Sequence, residues 1–282
     1  MAFTSLPITI VITLLTQLPP GPEQADRGHE DRLRFFKEKA SRLDLSYAST
    51  QESLTLTAEP VLRFSNPERD RGTWDGATFL WLDRKRPVSA ASFGLRRPNN
   101  DVFFEFTSFV AAPLTCKRGE TVLWAPLSGS LIAQPLANVS PAADLPASRL
   151  TQMRDIARRF SATCVYKEET ASQLRLLPQP IYRFADEEAH IRDGAVFVMV
   201  ISNDPEILLL IEALSDSSPD KPQWRYSVCR MSSQQQIVRF DNEEIATFPA
   251  FYQLPPAERK AGPYTESFQG KYHPPGLKSS EK

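Results

Sequence analysis

One segment of this chain is written twice. Pro60-Val61-Leu62-Arg63-Phe64 followed by Asp75-Gly76-Ala77-Thr78-Phe79 returns 118 to 120 residues later as Pro180-Ile181-Tyr182-Arg183-Phe184 and Asp193-Gly194-Ala195-Val196-Phe197. The echo extends upstream, where Arg32-Leu33 with Phe36, Ala40 and Leu43 is matched at one offset by Arg149-Leu150 with Met153, Ala157 and Phe160. A self-similarity of this length predicts two copies of one folding unit packed about an approximate two-fold axis. It also makes architecture the first explanation of any residue the copies share.

Each copy opens on an amphipathic helix. Leu33, Phe36, Ala40 and Leu43 recur at steps of three and four, with Arg32, Glu38, Lys39 and Arg42 elsewhere on the cylinder. Leu150, Met153, Ile156, Ala157 and Phe160 repeat the stripe, and Pro141 and Pro146 forbid an earlier start. Short apolar segments follow in both copies, separated by turn chemistry such as Arg84 to Pro87, Asn203 to Pro205 and Asp241-Asn242. Connections this short exclude parallel crossovers, so each copy reads as an antiparallel β-meander.

In Val196 to Ile201 and Ile207 to Ile211 both alternation classes are apolar, so these strands need cover on both faces. A helix covers one. The other copy's sheet covers the second, which predicts an α+β fold: two tandem helix-plus-meander units in one pseudo-two-fold layered body with a large interface. The expected divisions are 1–25 as a signal peptide, 26–126 as the first repeat, 127–147 as a linker, 148–250 as the second repeat and 251–282 as a disordered tail. The linker assignment rests on Pro, Ala and Ser without an apolar period, and the tail assignment on Pro, Lys, Glu and Ser.

Lys plus Arg is 33 and Asp plus Glu is 34, a net charge of -1 that gives no electrostatic case for nucleic acid. The apolar run Leu6 to Leu15 followed by Pro19-Pro20-Gly21-Pro22 has the order of a secretory leader, and predicts an exported protein, periplasmic or extracellular. Contact with a membrane is expected only through that leader if it stays uncleaved. Cys116, Cys164 and Cys229 hold unlike places in the two copies and read as buried free thiols.

The polar candidates come mostly from the repeat. Asp75-Gly76 and Asp193-Gly194 read as turns in which Asp accepts backbone N–H groups and Gly takes a positive φ, or else as site carboxylates. Arg63 and Arg183 are expected to pair with Asp75 and Asp193, although the same guanidinium groups could line an anion pocket. Glu105 and Arg225 hold matching places in Phe-Glu-Phe and Trp-Arg-Tyr, which suits a pair across the pseudo-axis or plain solvent exposure. The aromatic run Phe103, Phe104, Phe106 and Phe109 reads as core before it reads as a stacking surface. His29, His190 and His273 share no spacing suited to a metal, so no metal site is expected. Neither a G-x-S-x-G elbow nor a glycine-rich phosphate loop is present, and no cofactor is expected.

Glu59 to Phe64 with Trp74 to Ala77, Leu174 to Phe184 with Asp193 to Phe197, and the stretches Asp204 to Glu212 and Trp224-Arg225-Tyr226 together resemble a family of exported bacterial proteins of unknown function with an internal duplication. The resemblance implies export and carries no catalytic residue, ligand or partner. The paired sheets, the aromatic residues and the lack of a catalytic constellation in the sequence lead instead to the expectation of an exported, non-enzymatic binding or scaffolding protein for a small molecule or a protein, with its working surface in the groove between the meanders. The alternative is an enzyme of unrecognised type, a carboxylate-dependent hydrolase using Asp193, Glu212 or Glu105 in one copy only.

Overall fold

The computed structural model describes residues 22–66, 74–97, 99–165, 171–215 and 223–275; residues 1–21 of the expected leader lie outside this set. The first half runs α1 (Pro22–Ser41), β1 (Asp44–Tyr47), β2 (Thr55–Leu56), β3 (Leu62–Asn66), β4 (Trp74–Asp83), β5 (Arg86–Arg96), β6 (Asp101–Ser108), β7 (Leu114–Arg118), β8 (Thr121–Trp124) and β9 (Leu131–Pro135). The second runs α2 (Pro146–Arg158), β10 (Phe160–Val165), β11 (Ser172–Gln173), β12 (Arg175–Leu176), β13 (Tyr182–Asp186), β14 (Ile191–Ile201), β15 (Asp204–Leu214), β16 (Trp224–Arg230), β17 (Gln235–Phe240), β18 (Glu243–Phe248), α3 (Pro256–Ala261) and β19 (Tyr264–Lys271). The fold is β-rich, and all strand pairings among the described residues are antiparallel. Helix is a smaller part than an α+β class implies, because strands continue into the segments expected to be linker and tail.

Two large sheets carry the architecture, ordered β12-β14-β15-β16-β9 and β19-β6-β5-β4-β2, with β13 beside β14 and β3 beside β4. Their long hairpins agree in detail. Each turns through a two-residue loop whose first residue has left-handed φ, Arg84 at 53° and Ser202 at 54°, which matches the twist of the flanking strands. Each then carries a register shift at the same place, between Trp81 and Leu82 and between Met199 and Val200. Asp241 and Asn242 both take positive φ between β17 and β18, as the mirror-image hairpin turn requires.

The edge strands depart from the expected divisions. β9 follows the first meander but pairs with β16 of the second, and β19 follows the second meander but pairs with β6 of the first. Residues 127–147 therefore contain a strand, and residues 251–275 hold α3 and β19 where disorder was expected; residues 276–282 are outside the described set. Neither segment carries an apolar period, and an edge strand gains its order from ladder hydrogen bonds that composition does not reveal.

Alternation sorts each strand onto two cores. On β4, Ala77, Phe79 and Trp81 join Phe36 and Ala40 of α1 and Leu45, Leu114 and Trp124 of the small sheet β1-β7-β8. On β14, Ala195, Phe197 and Met199 join Met153, Ile156 and Ala157 of α2 with Ala162 and Val238 of the second small sheet. The opposite faces meet in a third core drawn from both halves, in which Leu80, Leu82, Ala90 and Phe109 pack with Val196, Val198, Val200, Leu208 and Leu210. Five fully buried Val and Leu side chains at ~1.5–3 kcal/mol each give roughly 8–15 kcal/mol on one side of this seam, which keeps the sheets face to face. Cys116, Cys164 and Cys229 are free and buried, and the Cys229 thiol donates to the Ser108 carbonyl across the seam at 3.1 Å.

Candidate functional site

The glycines of the repeated Asp-Gly pair explain the first cluster, and they correct the turn reading. Gly76 and Gly194 lie inside β4 and β14, and neither takes a positive φ. A Cβ on Gly76 would sit 2.3 Å from Cζ of Phe64 and 2.6 Å from the Phe93 carbonyl oxygen; on Gly194 it would sit 2.5 Å from Cζ of Phe184. Glycine is there to admit an aromatic ring against the strand. The preceding aspartates face the helices and are nearly buried. Asp193 accepts two bonds from Arg183, 2.9 Å from Nε and 2.6 Å from Nη2, and a third from Arg149 Nε at 3.0 Å. This forked arrangement, with Arg183 hydrogen-bonded to Asp193, raises the Arg183 pKa.

The first half keeps the residues but not the bonding. Asp75 accepts from Arg32 of α1, while Arg63 reaches the His29 carbonyl at 3.4 Å and its Nε is buried without a hydrogen-bond partner. Burial lowers the Arg63 pKa; Asp75 opposes that shift and Arg32 adds to it. The expected Arg183–Asp193 pair is present, and the Arg63–Asp75 pair is replaced by Arg32–Asp75.

Glu212 and Arg225 form a second cluster. Glu212 is fully buried on β15 and takes bonds from Arg225 at 2.6 Å and from Arg86 of the other half at 2.7 and 3.2 Å. Burial works against the Arg86 charge, yet Glu212 holds its pKa above the ordinary value. Glu105 is elsewhere: it accepts from the Tyr264 hydroxyl at 2.5 Å, across the β6–β19 pairing. The register also removes the proposed equivalence of Glu105 and Arg225. Gly76 faces Gly94 and Gly94 faces Phe103, whereas Gly194 faces Glu212 and Glu212 faces Arg225, so Arg225 corresponds to Phe103 and Glu105 to Ser227. The two triplets are thus offset by two residues in the paired sheets. Phe104, Phe106 and Phe109 are core, while Phe103 packs on exposed Phe268.

A third feature was not foreseen. A cavity of about 610 Å³ opens where the chain leaving β8 meets the chain leaving β18, with Leu127, Phe248, Phe251, Leu254 and Tyr264 among its walls and Arg230 also lining it. It is held together by Leu127 N–H to the Ala261 carbonyl, by the Trp124 indole N–H to the Gly262 carbonyl and by Ser108 N–H to the Pro263 carbonyl. Arg230 is 4% exposed, donates to the carbonyls of Ser232, Pro249 and Gln234 at 2.6 to 2.8 Å, and stacks 4.8 Å from the Tyr264 ring. Burial lowers its pKa against the fields of Tyr264, Glu105, Cys164 and Glu206. Burial followed by Glu105 and Glu266 drives the Tyr264 pKa well above its ordinary value, so its hydroxyl stays protonated. Arg230 faces Ile207 as Ser108 faces Ser89, so the first sheet has serine at the equivalent position. Chemistry alone could not flag this site in the sequence: its walls come from segments far apart in the chain, and Tyr264 fell in the segment expected to be disordered. A smaller pocket of about 330 Å³ lies beside Arg149, with Asp144, Glu187 and Arg192 on its rim.

Among the described residues no group of three or more His, Cys, Asp or Glu could hold a metal ion, and no helix is long and apolar enough to cross a membrane. Comparison with family models, with curated proteins and with solved structures returned no match.

Proposed function

We propose that this chain is an exported, non-enzymatic binding protein whose site is the cavity between the two linking segments. The carrying observation is the cavity itself: its volume of about 610 Å³ and largely apolar wall with a few polar groups match what a small organic ligand needs. The apolar run Leu6 to Leu15 and the resemblance to exported bacterial proteins support export. The hydrolase alternative has less behind it, since Asp193 and Glu212 are each held by two arginines, Glu105 is held by Tyr264, and none of the three lines this cavity.

The body that carries the site is, in this reading, a tandem duplication whose copies have exchanged their last strands. Matching hairpin loops, matching register shifts and the reciprocal placing of β9 and β19 support it. The cavity forms because both exchanged segments pass the same point on the way to the partner sheet. Titration with Nile red, a neutral hydrophobic dye, tests the site: saturable fluorescence enhancement is expected for the native chain and its loss for Ala257→Trp, which fills the cavity from exposed α3. Equal dye binding by both proteins refutes the assignment.

A further inference from the structure

The cavity has one cation in its wall that the surrounding protein does not neutralise at contact distance. Arg230 offers five N–H groups, and three are used on neutral carbonyls. Its side-chain bonds go to uncharged oxygens, and neither Glu105 nor Glu206, whose fields reach it, lines the cavity. Two N–H groups, one on each terminal nitrogen, remain for a ligand. A buried guanidinium beside an apolar wall is costly to leave unmatched, and a carboxylate takes two parallel N–H bonds from that geometry. Glu258 is the acidic residue of the lining, and it is exposed on α3, where solvent screens it.

We propose, on the reading that the cavity is a binding site, that its ligand is an apolar monocarboxylic acid whose carboxylate meets Arg230 while its hydrocarbon body lies against Leu127, Phe248, Phe251 and Leu254. A dianion such as a phosphate monoester fits less well. The lining supplies one cation, so the second charge would be buried without a partner. Tyr264 fixes the arrangement from the other side, because its hydroxyl is committed to Glu105 and its ring to the guanidinium face. The duplicate position is Ser108, so the head-group site exists in one half of the molecule only.

The test compares dansyl-labelled undecanoic acid with its methyl ester on the full chain, in the native protein, Arg230→Gln and Ala257→Trp. The acid is expected to bind at least about tenfold more tightly than the ester, as two charge-assisted hydrogen bonds imply. Arg230→Gln is expected to abolish that preference, the acid losing at least about tenfold more affinity than the ester, and Ala257→Trp to weaken both probes. If Arg230→Gln fails to fold, the native acid-to-ester ratio still decides. Equal affinities in the native chain, with both lost in Ala257→Trp, overturn the carboxylate assignment and leave the cavity as a site for neutral ligands. Binding that survives Ala257→Trp, or no binding of either probe, overturns the cavity reading and this proposal with it.

Discussion

Removing the Glu212 carboxylate should unlock the seam between the two sheets. Glu212 is fully buried and takes three charge-assisted bonds, two of them from Arg86, which lies 126 residues away on the facing half. Deleting one partner of a buried pair costs about 3–5 kcal/mol, because the remaining charge is stranded. Here the stranded groups are arginines that retain 20% and 24% of their side-chain surface, so water reaches both and the penalty falls below that range. For Glu212→Gln, which keeps one acceptor oxygen, a loss of ~2–3 kcal/mol follows. The double-mutant cycle with Arg86→Met should return a coupling of ~1–2 kcal/mol, since the second substitution removes a charge already left unpaired. Urea unfolding reads all four proteins. A loss under ~0.5 kcal/mol for Glu212→Gln, or no coupling to Arg86, would show that the bridge behaves as a surface pair and that the apolar contacts alone hold the seam.

The paired glycines predict unequal damage: each Ala substitution overpacks its strand at a cost of ~1–3 kcal/mol. Gly76→Ala should cost more, since its new methyl meets the Phe93 backbone as well as the Phe64 ring, while Phe184→Leu should partly rescue Gly194→Ala; equal losses without rescue would sink the ring-contact explanation. Burial pushes the Cys116 thiol from 9.0 up to about 12, and burial with Asp83 pushes the Tyr47 phenol from 10.0 up to about 12. The folded chain therefore binds more protons than the unfolded one between those values. Stability should be unaffected by these groups below pH 9 and decline as pH rises from 9 through about 12, and a urea midpoint that is flat across that window would contradict it. A protease site inserted after Ala137, between β9 and α2, should give two fragments that co-elute in native buffer because each contributes an edge strand to the other's sheet. Separation without denaturant would mean that the β9–β16 and β19–β6 pairings add little.

Much of the frame was legible because it rests on local chemistry. The helical stripe at Phe36 and Ala40, the two-residue turn at Asp241-Asn242 and the double-faced apolar strand at Val196 to Ile201 each record a physical requirement in neighbouring residues. What failed depended on distant partners. Asp-Gly is a good turn signal, but here Gly serves ring packing from Phe64 and Phe184 across a strand pair, which the dipeptide does not encode. The chain around Tyr264 looked unstructured because its order comes from ladder bonds to β6, a strand distant in sequence. Arg183 and Asp193 were correctly joined, yet the same pair in the first half was broken by Arg32, a competition that geometry decides.

If the halves are copies, their differences show what duplication made possible. At three register positions the second sheet carries charge where the first has Gly94, Phe103 and Ser108: Glu212, Arg225 and Arg230. A symmetric pair would need the same residues on both sides of the seam, yet the counterpart of Arg86 in the other hairpin is Asp204, and Asp204 cannot serve a second copy of Glu212 as Arg86 serves the first. Glu212 on both sides would thus place one carboxylate opposite Arg86 and the other opposite Asp204, a like-charge contact in a buried interface. Fusing the copies into one chain lifts the demand for self-complementarity, so one half can take the acid and the other its arginine. Arg230 follows the same logic at the neighbouring junction, where only one of the two equivalent positions needs to floor a cavity.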